Sequence, residues 1–218
     1  LRIFSDPIYR NQGFAAALEQ FLNGRGMAVA ATETWVAEAD AAALPRAVDA
    51  AEEWLAVNND GIAVLNFGAS ELLGNGLAWS LASIRRDYVR QLAERLERLK
   101  LRYPEGRVFL VLPPFPAPGP VLGMAPKQLP GYKLGLAHQF MCRALWEATA
   151  ETDGAVIVTH PFIAQKDYAA TEWFGQTVYS GYFRLNASGN QHMAAAAGSG
   201  ILLRLRQSPP DSREKNAR

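Results

Sequence analysis

Three stretches of this chain hold residue types that could do chemistry. Near the amino end, Ile3-Phe4-Ser5-Asp6-Pro7-Ile8-Tyr9-Arg10 is a short apolar run entering a polar turn, with a hydroxyl, a carboxylate and a guanidinium close together. In the middle, Phe67-Gly68-Ala69-Ser70-Glu71 follows another apolar run, with a glycine where backbone could approach a ligand. Toward the carboxyl end, Gly181-Tyr182-Phe183-Arg184-Leu185-Asn186-Ala187-Ser188-Gly189 leads into an alanine-rich segment. Acyl transfer by a serine needs an attacking hydroxyl, an imidazole to take its proton and a carboxylate to orient that imidazole. Hydroxyls and carboxylates are present in these stretches, and histidine is absent from all of them. Arg184 stays protonated and cannot act as a general base, and Pro7 has neither hydroxyl nor amide hydrogen.

The elements that must position these stretches follow from periodicity. Residues 1–5 read as a strand, 13–23 as a helix with Phe14, Leu18, Phe21 and Leu22 on one face, and 27–34 as a second strand. A helix is expected over 40–56, with Asp40 as a possible cap and Pro45 in its first turn, where a missing N–H costs nothing. Ile62 to Phe67 is the continuous apolar run of a strand buried on both faces. A long helix over 80–102, a strand over 108–112, a Pro- and Gly-rich loop over 113–130, a helix over 131–152 and a strand over 155–159 come next. A polar, aromatic loop through Tyr182 precedes a last helix capped by Asn186 or Ser188. Five strands alternating with helices predict an α/β protein: a three-layer α/β/α sandwich with a five-stranded parallel sheet in the flavodoxin-like order 2-1-3-4-5. In that order the chain reverses between the first and third strands, so ligands are expected beyond their carboxyl ends, at Phe4-Ser5-Asp6-Pro7 and Phe67-Gly68-Ala69-Ser70-Glu71.

With these blocks in place the chain resembles the SGNH hydrolases, also called GDSL lipases and esterases. The likeness implies the same sandwich over residues 1–206, with 207–218 a polar, loose tail. The family's first block ends a strand in Gly-Asp-Ser, the serine being the nucleophile; aligned on Asp6, Ser5 stands at the glycine and Pro7 at the serine. In the third block Gly68 and Glu71 are kept and Ser70 stands at the oxyanion-hole asparagine. In the last block Leu185, Asn186, Ala187 and Gly189 are kept, whereas Gly181 and Arg184 replace the aspartate and the histidine. The glycine of the second block has no counterpart near Glu33-Thr34-Trp35-Val36-Ala37-Glu38-Ala39-Asp40. The resemblance thus implies a catalytically degenerate domain acting as a binding or assembly component, its partner a protein subunit or a glycan or acyl ligand. The residual polar set expected to bind is Asp6, Tyr9, Arg10, Gly68, Ser70, Glu71, Arg184 and Asn186, with Arg184 paired to Asp6 or Glu71. The competing reading is a working esterase, such as a carbohydrate O-acetyl esterase, using Ser5 or Ser70 as nucleophile. Ser5 points to the same side as Pro7 but deeper in the strand, and the simpler role of Ser70 is a turn or cap.

Composition narrows the field. A chain of 218 residues, 49% hydrophobic and carrying a formal charge of +1, has a sizeable core and no basic excess to attract nucleic acid. No cofactor is expected, and no cluster of His, Cys or carboxylates has metal-ligand spacing. His138 and His192 read as helix residues, and His160 ends the fifth strand, far from Asp6. Cys142, the single cysteine, reads as a buried small hydrophobe. Trp35, Trp79 and Trp173 fall in or near loops, with core anchoring as their default role. No run is long enough to span a membrane. Leu1 falls inside the first strand, so an upstream segment is expected, and a secreted or periplasmic origin is compatible with that.

Overall fold

The computed structural model describes residues 1–10, 13–35, 43–67, 90–103, 107–111, 142–143, 149, 156–159, 172–173, 176–177 and 185–207. The chain is an α/β protein built on a parallel sheet. Its strands are β1 (Arg2–Ser5), β2 (Thr32–Trp35), β3 (Ala63–Asn66), β4 (Val108–Val111) and β5 (Val156–Thr159). They lie in the order β2-β1-β3-β4-β5, and every neighbouring pair is parallel. Every residue of β3 and β4 is buried, which is why both read as unbroken apolar runs rather than alternating ones.

Four α-helices are described: α1 (Phe14–Asn23), α2 (Ala43–Val57), α3 (Arg90–Arg102) and α4 (Ala187–Gln207). Leu44, Val48, Ala51 and Leu55 of α2 and Leu92, Leu96 and Leu99 of α3 close over Phe4, Ala63, Leu65, Val108 and Leu110. On the opposite face Phe14, Leu18 and Leu22 of α1 and Met193, Ala197 and Ile201 of α4 cover Ile3, Val64, Phe109 and Val111. The alternation along β1 assigns its side chains: Ile3 and Ser5 face α1 and α4, whereas Phe4 faces α2 and α3. Helices α2 and α3 are tied by charge as well as by leucines. Asp49 meets Arg95 and Arg98 at 3.1 and 2.6 Å, and Glu52 meets Arg98 and Arg102 at 2.7 and 3.1 Å.

The second strand departs from its expected bounds: pairing begins at Thr32, not Met27. The intervening segment spends its hydrogen bonds on α1. Gly26 takes the left-handed conformation at φ 84°, and the Met27 N–H returns to the Leu22 carbonyl at 3.1 Å, in the manner of a helix C-terminal motif. Asn23 then clamps Val29 from both sides, its Nδ2 donating to the Val29 carbonyl at 3.0 Å and its Oδ1 accepting the Val29 N–H at 2.9 Å. Glu19 accepts the Ala31 N–H at 2.7 Å. Regular pairing with β1 starts only beyond this clamp, at Thr32.

Two further differences are local. Glu172–Trp173 and Gln176–Thr177 form a small antiparallel ladder, β6 and β7, inside a stretch expected to be loop. Tryptophan and threonine favour such pairing, but two residues per strand are too few to leave a periodic signal. At the start of α4, the choice between caps resolves to Asn186, whose Oδ1 accepts the Gly189 N–H at 2.9 Å. The expected helical residues 80–89 and the expected helix over 131–152, apart from 142, 143 and 149, lie outside the described residues, as does 208–218. Cys142 packs against the core under α2 and α3, and burial pushes its thiol up to about 12.

Candidate functional site

The carboxyl end of β1 is where the described site residues gather. The Asp6 N–H donates to the Asn66 carbonyl at 2.9 Å, extending the β1–β3 ladder one residue past the strand. The chain then turns through a single 3-10 turn, Pro7–Tyr9. The Tyr9 N–H donates to the Asp6 carbonyl at 2.9 Å and the Arg10 N–H to the Pro7 carbonyl at 3.2 Å. Proline suits the first position of such a turn because its φ is preset and that position needs no N–H. Pro7 is therefore well matched to the backbone it occupies.

Ser5 is 0% exposed and its hydroxyl is committed: Oγ donates to Glu33 Oε1 on β2 at 2.6 Å. That distance is typical of an O–H donor on a carboxylate. Burial raises the Glu33 carboxyl above its ordinary range, and the hydrogen bond from Ser5 opposes that rise without cancelling it. The raised value is what desolvation of a carboxylate beside a neutral partner must produce.

Strand register aligns the last residue of each strand into one row, Trp35, Ser5, Asn66, Val111 and Thr159. Ser5 thus lies between Trp35 and Asn66. Asn66 is 2% exposed, and its Oδ1 has no hydrogen-bond partner. The Trp35 indole Nε1 is also closed to water and without a partner. The exposed Arg10 lies with its guanidinium 5.2 Å from the centre of the Trp35 ring, within reach of a cation–π attraction. Spacing does not single out Glu33 or Asn66, and Trp35 is noticed only as one of three tryptophans in or near loops. The signals were nevertheless there: Glu33 breaks the polarity expected of an inward position, and Asn66 is the one polar residue of the run Ile62-Ala63-Val64-Leu65-Asn66-Phe67.

The described residues expected to bind separate into three groups. Asp6 and Arg10 sit at this end of the sheet, Asp6 at 0% exposure and Arg10 exposed. Tyr9 is drawn into the core under α2 and α3, so its ring packs rather than lines an open surface. Asn186 is occupied at the start of α4: its side chain caps Gly189, and its carbonyl accepts the Asn190 N–H at 2.9 Å and Asn190 Nδ2 at 3.0 Å. Gly68, Ser70, Glu71, Gly181 and Arg184 lie outside the described residues, as do His138 and His160. His192 is half-buried on α4.

Among the described residues no group of three or more His, Cys, Asp or Glu side chains could hold a metal ion. No described helix is long and apolar enough to cross a membrane. Neither protein-family models nor curated proteins give a match to this chain.

Proposed function

We propose that this chain is a catalytically degenerate SGNH hydrolase-like domain, a three-layer α/β/α sandwich of flavodoxin-like order, that serves as a binding or assembly component. The observation that carries the reading is Pro7, which opens the turn at the carboxyl end of β1, beside the switch between β1 and β3. In the family frame this is the nucleophile's place, and proline cannot attack a carbonyl. Ser70, Gly181 and Arg184 at the other catalytic positions remove the remaining machinery by sequence. Arg184 is read as pairing with Asp6 or Glu71. The partner is a protein subunit or a glycan or acyl ligand held at this end of the sheet.

The second reading, an esterase with Ser5 as nucleophile and Glu33 as base, draws on their 2.6 Å hydrogen bond. Against it stands the complete burial of Ser5, which leaves no approach for an ester. Hydrolysis of p-nitrophenyl acetate at neutral pH, with Ser5→Ala and Ser70→Ala alongside, separates the two. The degenerate reading expects no turnover above buffer and no labelling by a fluorophosphonate. Turnover abolished by either substitution would overturn it.

A further inference from the structure

Strand β2 is an edge of the sheet, and its outer side is divided in two. The Leu1 nitrogen donates to the Ala30 carbonyl and the Thr32 N–H to the Leu1 carbonyl, both at 3.1 Å. Residues 30 and 32, and Thr34 by the period of two, therefore turn their backbone groups toward β1, whereas 29, 31, 33 and 35 turn theirs outward. At the first two of these outward positions side chains of α1 hold the backbone. Asn23 takes both groups of Val29, and Glu19 takes the Ala31 N–H. At Glu33 and Trp35 no described residue pairs with the outward N–H or C=O. Free groups on a sheet edge are a template for another strand, and folded proteins blunt such edges where pairing would be harmful. Here the blunting stops at Ala31.

Both faces of the sheet are consistent with an open edge. Thr34 stands beside Phe4 in register, yet Phe4 is buried under α2 and α3 while Thr34 is exposed, so that helix layer stops short of β2. On the other face Glu33 has the neutral Ser5 hydroxyl as its hydrogen-bond partner and no cation among the described residues. Arg10, exposed over the Trp35 ring, has no carboxylate partner among the described residues. An acid and a base beside the same edge are thus left without counter-charges in their own chain.

We propose that the chain forms a two-fold dimer in which β2 pairs antiparallel with β2 of a second copy, the axis passing through Thr34. A two-fold contact is self-complementary, so one set of residues supplies donors and acceptors to both sides. With the axis at Thr34, Glu33 of each copy lies opposite Trp35 of the other, and each such pair exchanges both of its N–H···O bonds. An axis at Thr32 or Glu33 would call on the Ala31 N–H, which Glu19 already holds. The guard from α1 therefore selects the register as well as limiting the edge. The same register sets Arg10, on its own Trp35 ring, beside Glu33 of the second copy, so the charges complement each other across the axis. A contact this small suits a weak, reversible association. The inference goes beyond the degenerate-hydrolase reading and does not depend on it, because self-association is measured without an ester.

Sedimentation velocity on the full chain, from about 5 to about 500 µM, should show a reversible monomer–dimer equilibrium. Thr34→Lys changes an exposed side chain and sets two ammonium groups against each other at the axis; it should raise the dimer Kd about tenfold or more and leave the thermal midpoint of the dilute protein in place. Facing Thr34 residues form a non-hydrogen-bonded pair with Cα atoms about 4.5 Å apart, within reach of a disulfide. Thr34→Cys treated with diamide should therefore give a covalent dimer. Thr32→Cys, whose copies stand about 13 Å apart in this register, should not. Cys142, its thiol pushed up to about 12 by burial, stays out of the reaction. A monomer over the whole concentration range, a dimer unaffected by Thr34→Lys, or crosslinking at position 32 equal to that at position 34 would each overturn the proposal.

Discussion

Removing the acceptor of the Ser5 hydroxyl is a sharp perturbation of the sheet's working end. Ser5 is fully buried, and Glu33 Oε1, 2.6 Å away, accepts its proton. Glu33→Ala strands that hydroxyl, at a cost of about 1–3 kcal/mol for an unsatisfied buried donor. Glu33→Gln keeps an oxygen at the same reach and removes the charge that burial penalises, so its stability at neutral pH should stay within about 1 kcal/mol of the parent. Ser5→Ala in the Glu33→Ala background should cost less than the sum of the two single changes, because neither partner is then left stranded. The pH dependence carries a fixed sign. The folded Glu33 carboxyl titrates above its ordinary value of 4.5, so the folded state holds this proton more tightly than the unfolded chain. Its contribution to stability is fully present below 4.5 and is lost as pH rises through the folded value. Urea midpoints for parent and Glu33→Gln, measured from pH 4 to about 8, should therefore converge at the acid end, with the parent losing ground as pH rises. Parallel pH profiles, or a Glu33→Ala variant as stable as Glu33→Gln, would refute the reasoning.

Other parts of the fold give equally direct tests. Gly198→Ala would place a Cβ 2.4 Å from Phe21 Cδ1 and 2.8 Å from Cε1; overpacking between α1 and α4 should cost about 1–3 kcal/mol, read as a fall in thermal midpoint despite alanine's better helix propensity. Asn186→Ala removes the cap on Gly189 and should cost about 1 kcal/mol, whereas Asn186→Ser should recover most of it. Glu52→Gln removes the charge that pairs with Arg98 and Arg102; because those arginines are more than half exposed and Arg98 keeps Asp49, the loss should stay near or below about 1 kcal/mol and shrink in high salt. The Cys142 thiol, pushed up to about 12 by burial, should react slowly with a disulfide reagent in the native protein and rapidly in denaturant, and the accessible thiol count should rise with unfolding.

How much of this was legible in the sequence depends on where each residue's hydrogen bonds go. Helix faces and doubly buried strands announce themselves through apolar spacing, so the stripe Leu44, Val48, Ala51, Leu55 and the run Val108–Val111 are found where periodicity puts them. Residues 27–31 have the composition of a strand yet are not part of one, because Asn23 and Glu19 reach across from α1 and claim Val29 and Ala31 first. Periodicity counts side-chain burial and is blind to such competition for backbone groups. The same blindness hid Glu33. On an edge strand with alternating exposure a glutamate reads as solvent-facing, and only the parallel register, which sets it beside Ile3 and within reach of Ser5, turns it inward.

The turn at Pro7 shows how a residue without a hydroxyl or an N–H can stiffen the end of a strand. A serine at the head of a 3-10 turn would bring a rotatable hydroxyl and a backbone N–H that needs a partner. Proline brings neither, and it narrows the unfolded ensemble at a position whose φ it already favours. Asp6 anchors the turn from the other side through its N–H to Asn66 and its carbonyl to Tyr9. Rigidity here leaves Ser5 locked on Glu33 in a layer that no substrate reaches, while Arg10, just past the turn, stays exposed over Trp35. The turn thus holds its one cation outward on an aromatic face. Pro7→Ser should lower stability slightly and, under the proposed reading, create no esterase activity, since Arg184 stands by sequence where the family has its histidine; turnover in that variant would overturn the reading.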